Sequence, residues 1–293
     1  MRILFYGSKG LIGSCLLSMF ASQGHTVYEG KARIENQTQI IEEILDHNPT
    51  HVFCATGRTH LNGASTIDGL EGGRDNLRVN LQDNLTAPLT LASVCKDMQV
   101  HLTIISTGCI YHSLYEGEKS TNVFSEDDRQ NFFGSSYSIV KGNLNHILNT
   151  DLFSNSVLTL RIRLPILPFP HFRNSLTKLL TYPKLCSLEN SITTFDLFEK
   201  YLSNLMCSKT VGLMNFTNKG GITHREIIDM YRQFVHQDHT CEFISREELC
   251  SMLVAERSNC VLDTSRLEGM FPDLPTAQTS MEECIKQYAL NIN

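Results

Sequence analysis

The sequence predicts an α/β protein, a doubly wound parallel sheet followed by a smaller C-terminal α/β lobe. Three observations predict it. Short apolar runs alternate with segments of helical periodicity through about the first 160 residues, and the first run stops at a glycine loop. Pro165, Pro168 and Pro170 then break the pattern, since proline can continue neither a helix nor a central strand. The domain transition is placed there, with 1–164 as the first domain and 165–293 as the smaller lobe. The strand near 212–216 is expected to return to the first domain.

The first run, Arg2-Ile3-Leu4-Phe5-Tyr6, is a strand closed by Gly7, and 11–20 carries apolar residues at helical spacing. Strands follow at 25–28, 51–55, 101–105 and 157–161, with helices at 39–47, 76–98 and 137–149. Repeated βα units imply buried parallel strands with right-handed crossovers. A polar loop rich in Gly, Thr and Asn occupies 57–73. The C-terminal lobe reads as helices at 175–181 and 195–206, a short strand near Leu185, and helices opening near Thr223 and Arg246.

Composition removes several classes of function. Among the 293 residues, 41% are hydrophobic and 19% charged, and no stretch reaches eighteen uninterrupted apolar residues, so no membrane-spanning segment is expected. The net charge is −6, from 31 acidic and 25 basic side chains, without a basic block that would track nucleic acid. Ten cysteines are scattered from Cys15 to Cys284 with no CxxC, which reads as free thiols in a reducing compartment. The N-terminus enters a strand directly and lacks the segments of a signal peptide, so cytoplasmic residence is expected. His236, Asp238 and His239 lack a second ligand group at useful spacing, and no metal is expected.

Gly7-Ser8-Lys9-Gly10-Leu11-Ile12-Gly13 is a GxxGxxG loop between a strand and a helix, the opening of a Rossmann-type fold. Glycines there permit the tight turn and close backbone approach, while the helix N-terminus faces the pyrophosphate. Gly7, Lys9, Gly10, Leu11, Ile12 and Gly13, with Ala55 at the end of the third strand, are therefore candidate cofactor ligands. After the second strand, Glu29 would favour NAD through a ribose hydroxyl, whereas Lys31 and Arg33 would favour a 2′-phosphate. NADPH is preferred, with Arg33 as the phosphate ligand.

Tyr137 and Lys141 form a YxxxK pair one helical turn apart, so they share a face. An ammonium beside a phenol eases its ionisation, and the phenol can then exchange a proton with a carbonyl oxygen. Thr107, at the end of the fourth strand, supplies the hydroxyl that would orient that carbonyl.

In this order and spacing the chain resembles the extended short-chain dehydrogenase/reductase superfamily. The segments 106–111, 131–138, 160–166, Arg173-Asn174, Thr177-Lys178, 215–218 and 257–259 resemble one branch, the nucleotide-rhamnose synthase/epimerase-reductases. Leu11, Ser175 and Lys219 stand where that branch usually has Trp, Phe and Pro. The resemblance implies that a UDP-linked 4-keto-6-deoxyglucose is epimerised at C3 and C5 and reduced at C4 with NADPH, giving UDP-L-rhamnose. It implies Cys109 and Lys178 as the epimerisation pair, with Tyr137 as proton donor and Lys141 holding the nicotinamide ribose. A thiol ordinarily titrating near about 8.5 suits such a shuttle, although a buried inert thiol is the competing reading. Arg58, Thr59, Arg163, Asn174 and Arg257 are candidate substrate ligands, with Arg163 and Arg257 for the diphosphate. The partners implied are the nucleotide sugar, a second copy of the chain as a homodimer, and a 4,6-dehydratase that supplies the substrate. Two alternatives stand beside this one: a dTDP-4-dehydrorhamnose reductase without epimerase activity, and a non-catalytic NADP-binding regulatory subunit.

Overall fold

In the computed structural model, which describes residues 1–292, the chain divides into two compact units that interleave in sequence. The first comprises 1–107, 135–161 and 199–214, and the second 108–134, 162–198 and 215–293. A boundary after residue 164 was expected, with the strand near 212–216 alone returning to the first domain. The chain instead leaves the first unit at the end of its fourth strand, returns at 135–161 for one helix and one strand, leaves again, and returns once more at 199–214.

The first unit is built on strands β1 (Arg2–Tyr6), β2 (Thr26–Glu29), β3 (His51–Cys54), β4 (His101–Thr107), β5 (Val157–Ile162) and β6 (Gly212–Asn215). They lie in the order β6-β5-β4-β3-β1-β2, and β1 pairs in parallel with both β2 and β3, as β3 does with β4. This is the six-stranded α/β sheet that the apolar runs predict. Ile3, Leu4, Phe5 and Tyr6 are each at most 1% exposed, which is why β1 reads as an unbroken apolar run. Helices α1 (Leu11–Ser22), α2 (Gln37–His47), α3 (Arg74–Leu81), α4 (Ala87–Asp97) and α5 (Ser136–Leu148) belong to the unit, as does a short helix at Ser203–Cys207. Ile40, Ile44, Leu91 and Leu144 from three of them join Leu4, Val52 and Ile104 of the sheet in one core.

The strand order reverses between β1 and β3, where an open α/β sheet forms a ligand crevice at its carboxyl edge. Gly7 follows β1 at that edge with φ +92°, and a Cβ on it would lie 2.7 Å from the Ala55 carbonyl carbon and the Thr56 nitrogen. A Cβ on Gly13 would come within 2.0 Å of the Gly7 carbonyl oxygen. Two of the three loop glycines are thus required by contact alone.

The helix expected over 76–98 is interrupted. Between α3 and α4, residues Gln82–Thr86 form a π turn, with Ala87 N–H donating to the Gln82 carbonyl. Pro88 stands in the first turn of α4 and has no N–H to give the Asn84 carbonyl, so the α pattern cannot close there.

The second unit has its own core, in which Ile166, Leu176, Ile192, Ile227, Ile228, Met281 and Ile285 are buried. Its helices α6 (Ser175–Thr181), α7 (His224–Phe234) and α8 (Ala277–Ile292) supply most of that core. A capping box opens α7, the Glu226 N–H donating to Thr223 Oγ1 while Thr223 N–H donates to Glu226 Oε2. All ten cysteines are free thiols.

The loop contacts make a direct prediction. Gly13→Ala forces backbone to move and should cost about 1–3 kcal/mol, seen as a fall of several degrees in Tm. Gly10→Ala, whose Cβ would meet only the Gly7 oxygen at 3.4 Å, should cost much less. Equal melting of the two variants would contradict the packing argument.

Candidate active site

At the head of α1, Gly10 is the cap residue in extended conformation and no side chain caps the helix. Backbone N–H groups at such a terminus suit phosphate oxygens, and the side-chain-free surface of Gly7 and Gly13 lets a dinucleotide approach. Among the sequence-nominated ligands here, Lys9 is exposed, and Leu11, Ile12 and Ala55 are half-buried at the same edge.

The segment after β2 is shaped by one carboxylate. Glu43 Oε1 accepts from the backbone N–H groups of Lys31 and Ala32 at 2.8 and 2.9 Å, and Glu43 Oε2 accepts from Tyr6 Oη at 2.8 Å. That leaves the Arg33 side chain 68% exposed, with its Nε donating to Glu35 and its Nη2 at 3.6 Å from Asp83. Arg58 Nε pairs with the other oxygen of Asp83. Its backbone is held by Asn84, which accepts from Arg58 N–H at 2.9 Å and donates to the Arg58 carbonyl at 2.8 Å. Thr59 beside it is exposed. Asp83 and Asn84 both lie in the π turn, so the helix interruption fixes the arginine.

Thr107, Tyr137 and Lys141 are all buried in the first unit, at 6%, 8% and 3% exposure. Ser135 caps α5, its Oγ accepting from Ser138 N–H, which sets where Tyr137 enters the helix. Burial pushes the Lys141 ammonium down to about 8, partly offset by nearby Cys54. It remains largely charged at neutral pH, beside a phenol on the same helical face.

Sequence reasoning missed Asn145, although it continues the 137/141 spacing by one more turn. Asn145 is 1% exposed, its Oδ1 accepting from Ser106 Oγ at 2.5 Å and its Nδ2 donating to the Thr107 carbonyl at 3.2 Å. One side chain therefore ties the helix of Tyr137 and Lys141 to the strand end bearing Thr107. A second tie was also missed: Glu71 Oε1 accepts from Ser136 N–H at 2.6 Å and Ser136 Oγ at 2.9 Å, anchoring the polar loop to the first turn of α5.

In the second unit, Cys109 is half-buried and lies two residues after Thr107 in the chain. Arg163 corrects the diphosphate expectation. Its side chain is only 3% exposed, with Nη1 donating to Cys109 Sγ at 2.7 Å and Nη2 to Asn190 Oδ1 at 2.5 Å and to the Ser258 carbonyl. Both terminal nitrogens are engaged inside the unit. Asn174 is also corrected as a substrate ligand: it is fully buried and caps α6. Its Oδ1 accepts from Leu167 and Leu176 N–H, and its Nδ2 donates to the Leu167 and Phe169 carbonyls, which uses its whole hydrogen-bonding capacity. Lys178 is half-buried on α6, and burial, Arg257 and Arg173 together hold its ammonium below the usual lysine range. Arg257 donates from Nη1 to the Ala255 carbonyl. Arg173, which sequence reasoning left without a role, thus belongs to the same positive cluster.

A glycine loop at the switch point of this sheet, with a buried Tyr-Lys pair one helical turn apart, defines an extended short-chain dehydrogenase/reductase. No family model matches the chain. Protein L780 of Acanthamoeba polyphaga mimivirus is 38% identical over 98% of this chain and 98% of its own length. The crystal structure of L780, described as a UDP-rhamnose synthase, superposes with a TM-score of 0.93, covering 98% of this chain and 99% of that one. A bifunctional dTDP-4-dehydrorhamnose 3,5-epimerase/reductase of Arabidopsis thaliana is 33% identical over 96% of this chain and 91% of that protein. A trifunctional dehydratase/epimerase/reductase of the same plant is 33% identical across the whole chain, which spans 42% of its length. The chain belongs to the nucleotide-rhamnose epimerase/reductase family.

The Asn145 tie is testable without any substrate. Asn145→Leu leaves the Ser106 hydroxyl and the Thr107 carbonyl buried without this partner, at about 1–3 kcal/mol per group. A Tm fall of several degrees is expected, with Asn145→Asp, which keeps the acceptor, falling less. Unchanged melting in Asn145→Leu would show that the tie carries no stability.

Proposed function

We propose that the protein is a bifunctional 3,5-epimerase/4-reductase that converts UDP-4-keto-6-deoxy-D-glucose to UDP-L-rhamnose with NADPH. The observation that carries this reading is the presence in one chain of two proton-handling sets, Thr107 with Tyr137 and Lys141, and Cys109 with Lys178. A simple reductase needs only the first. Relatedness to L780 and to the bifunctional plant enzyme supports the same conclusion.

A C4 ketone acidifies the C–H bonds at C3 and C5, so each inversion needs a base on one face of the carbon, an acid on the other, and a donor to the enolate oxygen. Cys109 and Lys178 serve as base and acid. The depressed ammonium of Lys178 gives up its proton more readily than an ordinary lysine does. Thr107 orients the C4 oxygen by hydrogen bonding and Tyr137 delivers a proton to it. Lys141 keeps the phenol ready to donate. NADPH supplies the hydride for C4; the backbone at Gly7, Gly10 and Gly13 would hold its pyrophosphate and Arg33 its 2′-phosphate. Arg257 and Arg173, which face Lys178 electrostatically, suit the substrate diphosphate. A 4,6-dehydratase supplies the keto sugar.

Incubation with UDP-4-keto-6-deoxyglucose in deuterated water, without reduced cofactor, tests the reading. The wild type should incorporate deuterium at C3 and C5. Cys109→Ser and Lys178→Met should lose about 10²–10⁴-fold of that exchange. Tyr137→Phe should lose NADPH oxidation by a similar factor while still binding the dinucleotide. Absence of exchange in the wild type would reduce the protein to a 4-reductase. Full NADPH oxidation by Tyr137→Phe would remove the reductase assignment.

Cofactor choice has a separate readout. The Arg33 side chain is 68% exposed, so a phosphate can recruit it from Glu35 and Asp83. NADPH should bind about ten- to a hundredfold more tightly than NADH, and Arg33→Ala should remove most of the difference. Equal affinities in the wild type would assign the site to NADH.

A further inference from the structure

Arg163 is a cation in the interior of the second unit, and none of its hydrogen-bond partners is a carboxylate. No Asp or Glu lies within ion-pair distance of it among the described residues. Its Nε has no partner at all. Burying an uncompensated guanidinium costs several kcal/mol, and it stays charged because arginine does not deprotonate in proteins. Its acceptors are an amide oxygen, a backbone carbonyl and the sulfur of Cys109, so that sulfur is the one acceptor able to become an anion. Cys260 and Tyr115 also face the guanidinium electrostatically, but Cys260 Sγ donates to the Gly108 carbonyl and Tyr115 Oη to the Glu189 carbonyl. Cys109 differs from both in being half-exposed and in receiving the arginine N–H directly.

We infer that Arg163 is a positioning residue for epimerisation, holding the Cys109 sulfur as the thiolate base through a buried, charge-assisted N–H···S hydrogen bond. This rests on the proposed epimerase reading and assigns its base. The thiolate takes the proton from C3 or C5 and becomes a thiol. The electron pair left on carbon moves to the C4 oxygen as an enolate, and the Lys178 ammonium returns a proton to the opposite face of that carbon. Thiol and amine then re-equilibrate with water, so the cycle consumes nothing. Asn190 and the Ser258 carbonyl fix the plane of the guanidinium, and Gly108 N–H, donating to the Ile162 carbonyl at 3.0 Å, holds the Cys109 segment beside it.

The test compares the whole protein with Arg163→Met and Arg163→Lys by two measurements. One is solvent deuterium exchange into UDP-4-keto-6-deoxyglucose, the other NADPH oxidation with UDP-4-keto-L-rhamnose, which needs no epimerisation. In Arg163→Met, exchange should fall about ten- to a hundredfold more than oxidation, and Arg163→Lys should recover part of it by restoring a charged donor. Parallel loss of both activities, or wild-type exchange in Arg163→Met, would overturn the inference. A wild type that exchanges no deuterium would instead refute the epimerase reading beneath it. Should neither variant fold, the ultraviolet thiolate absorbance of the wild type at neutral pH is compared with that of Cys109→Ser. A lower absorbance in the variant is expected, and identical absorbance overturns the inference.

Discussion

A positive charge enclosed by protein without a carboxylate beside it is the constraint around which both units are organised. Lys141 in the first and Arg163 in the second are each 3% exposed, and neither has an ion pair among the described residues. Such groups destabilise a fold unless hydrogen bonds or an induced anion compensate them. Nearby Cys54 partly offsets the burial of Lys141, and Arg163 donates to the Cys109 sulfur and to the Asn190 and Ser258 oxygens. The rest of the local structure keeps the two cations in place. Asn145 and Glu71 fix the helix that carries Tyr137 and Lys141, while Asn190 and Ser258 fix Arg163.

Much of the first unit was legible in the sequence because its signals are local. The strands are apolar runs, the glycine loop needs particular residues at fixed spacing, and a tyrosine four residues before a lysine shares its helical face whatever surrounds it. The six strands of the sheet are the six apolar runs that the sequence offers. What was not legible depends on partners distant in the chain. Asn145 is an ordinary helix residue until Ser106 and Thr107, nearly forty positions away, are folded against it. The π turn arises from Pro88 together with buried contacts of Asn84 to Arg58, and hydrophobic periodicity registers neither.

The two corrected ligands share one cause. Arginine and asparagine are the side chains that recognise phosphates and sugar hydroxyls, and they are equally the side chains that satisfy buried backbone. Sequence alone cannot distinguish the uses. Asn174 spends its whole amide on its own unit, and both terminal nitrogens of Arg163 donate to groups of that same unit, leaving only its Nε, buried, without a partner. Arg33 retains an exposed guanidinium and Arg257 a partly exposed one.

The turn at 82–86 has the length of a helical turn plus one residue, the geometry produced by a single-residue insertion into an α-helix. Side chains before it and after it are rotated relative to one another by about a quarter of a turn compared with an unbroken helix. Asn80 and Asn84 point inward on one phase, while the apolar stripe of α4, Leu91 with Val94 and Cys95, points inward on the next. One codon therefore lets a single rod present a polar seam to the loop bearing Arg58 and a hydrophobic seam to the sheet. Without that extra residue the polar and the apolar seams would fall out of phase with the surfaces they meet.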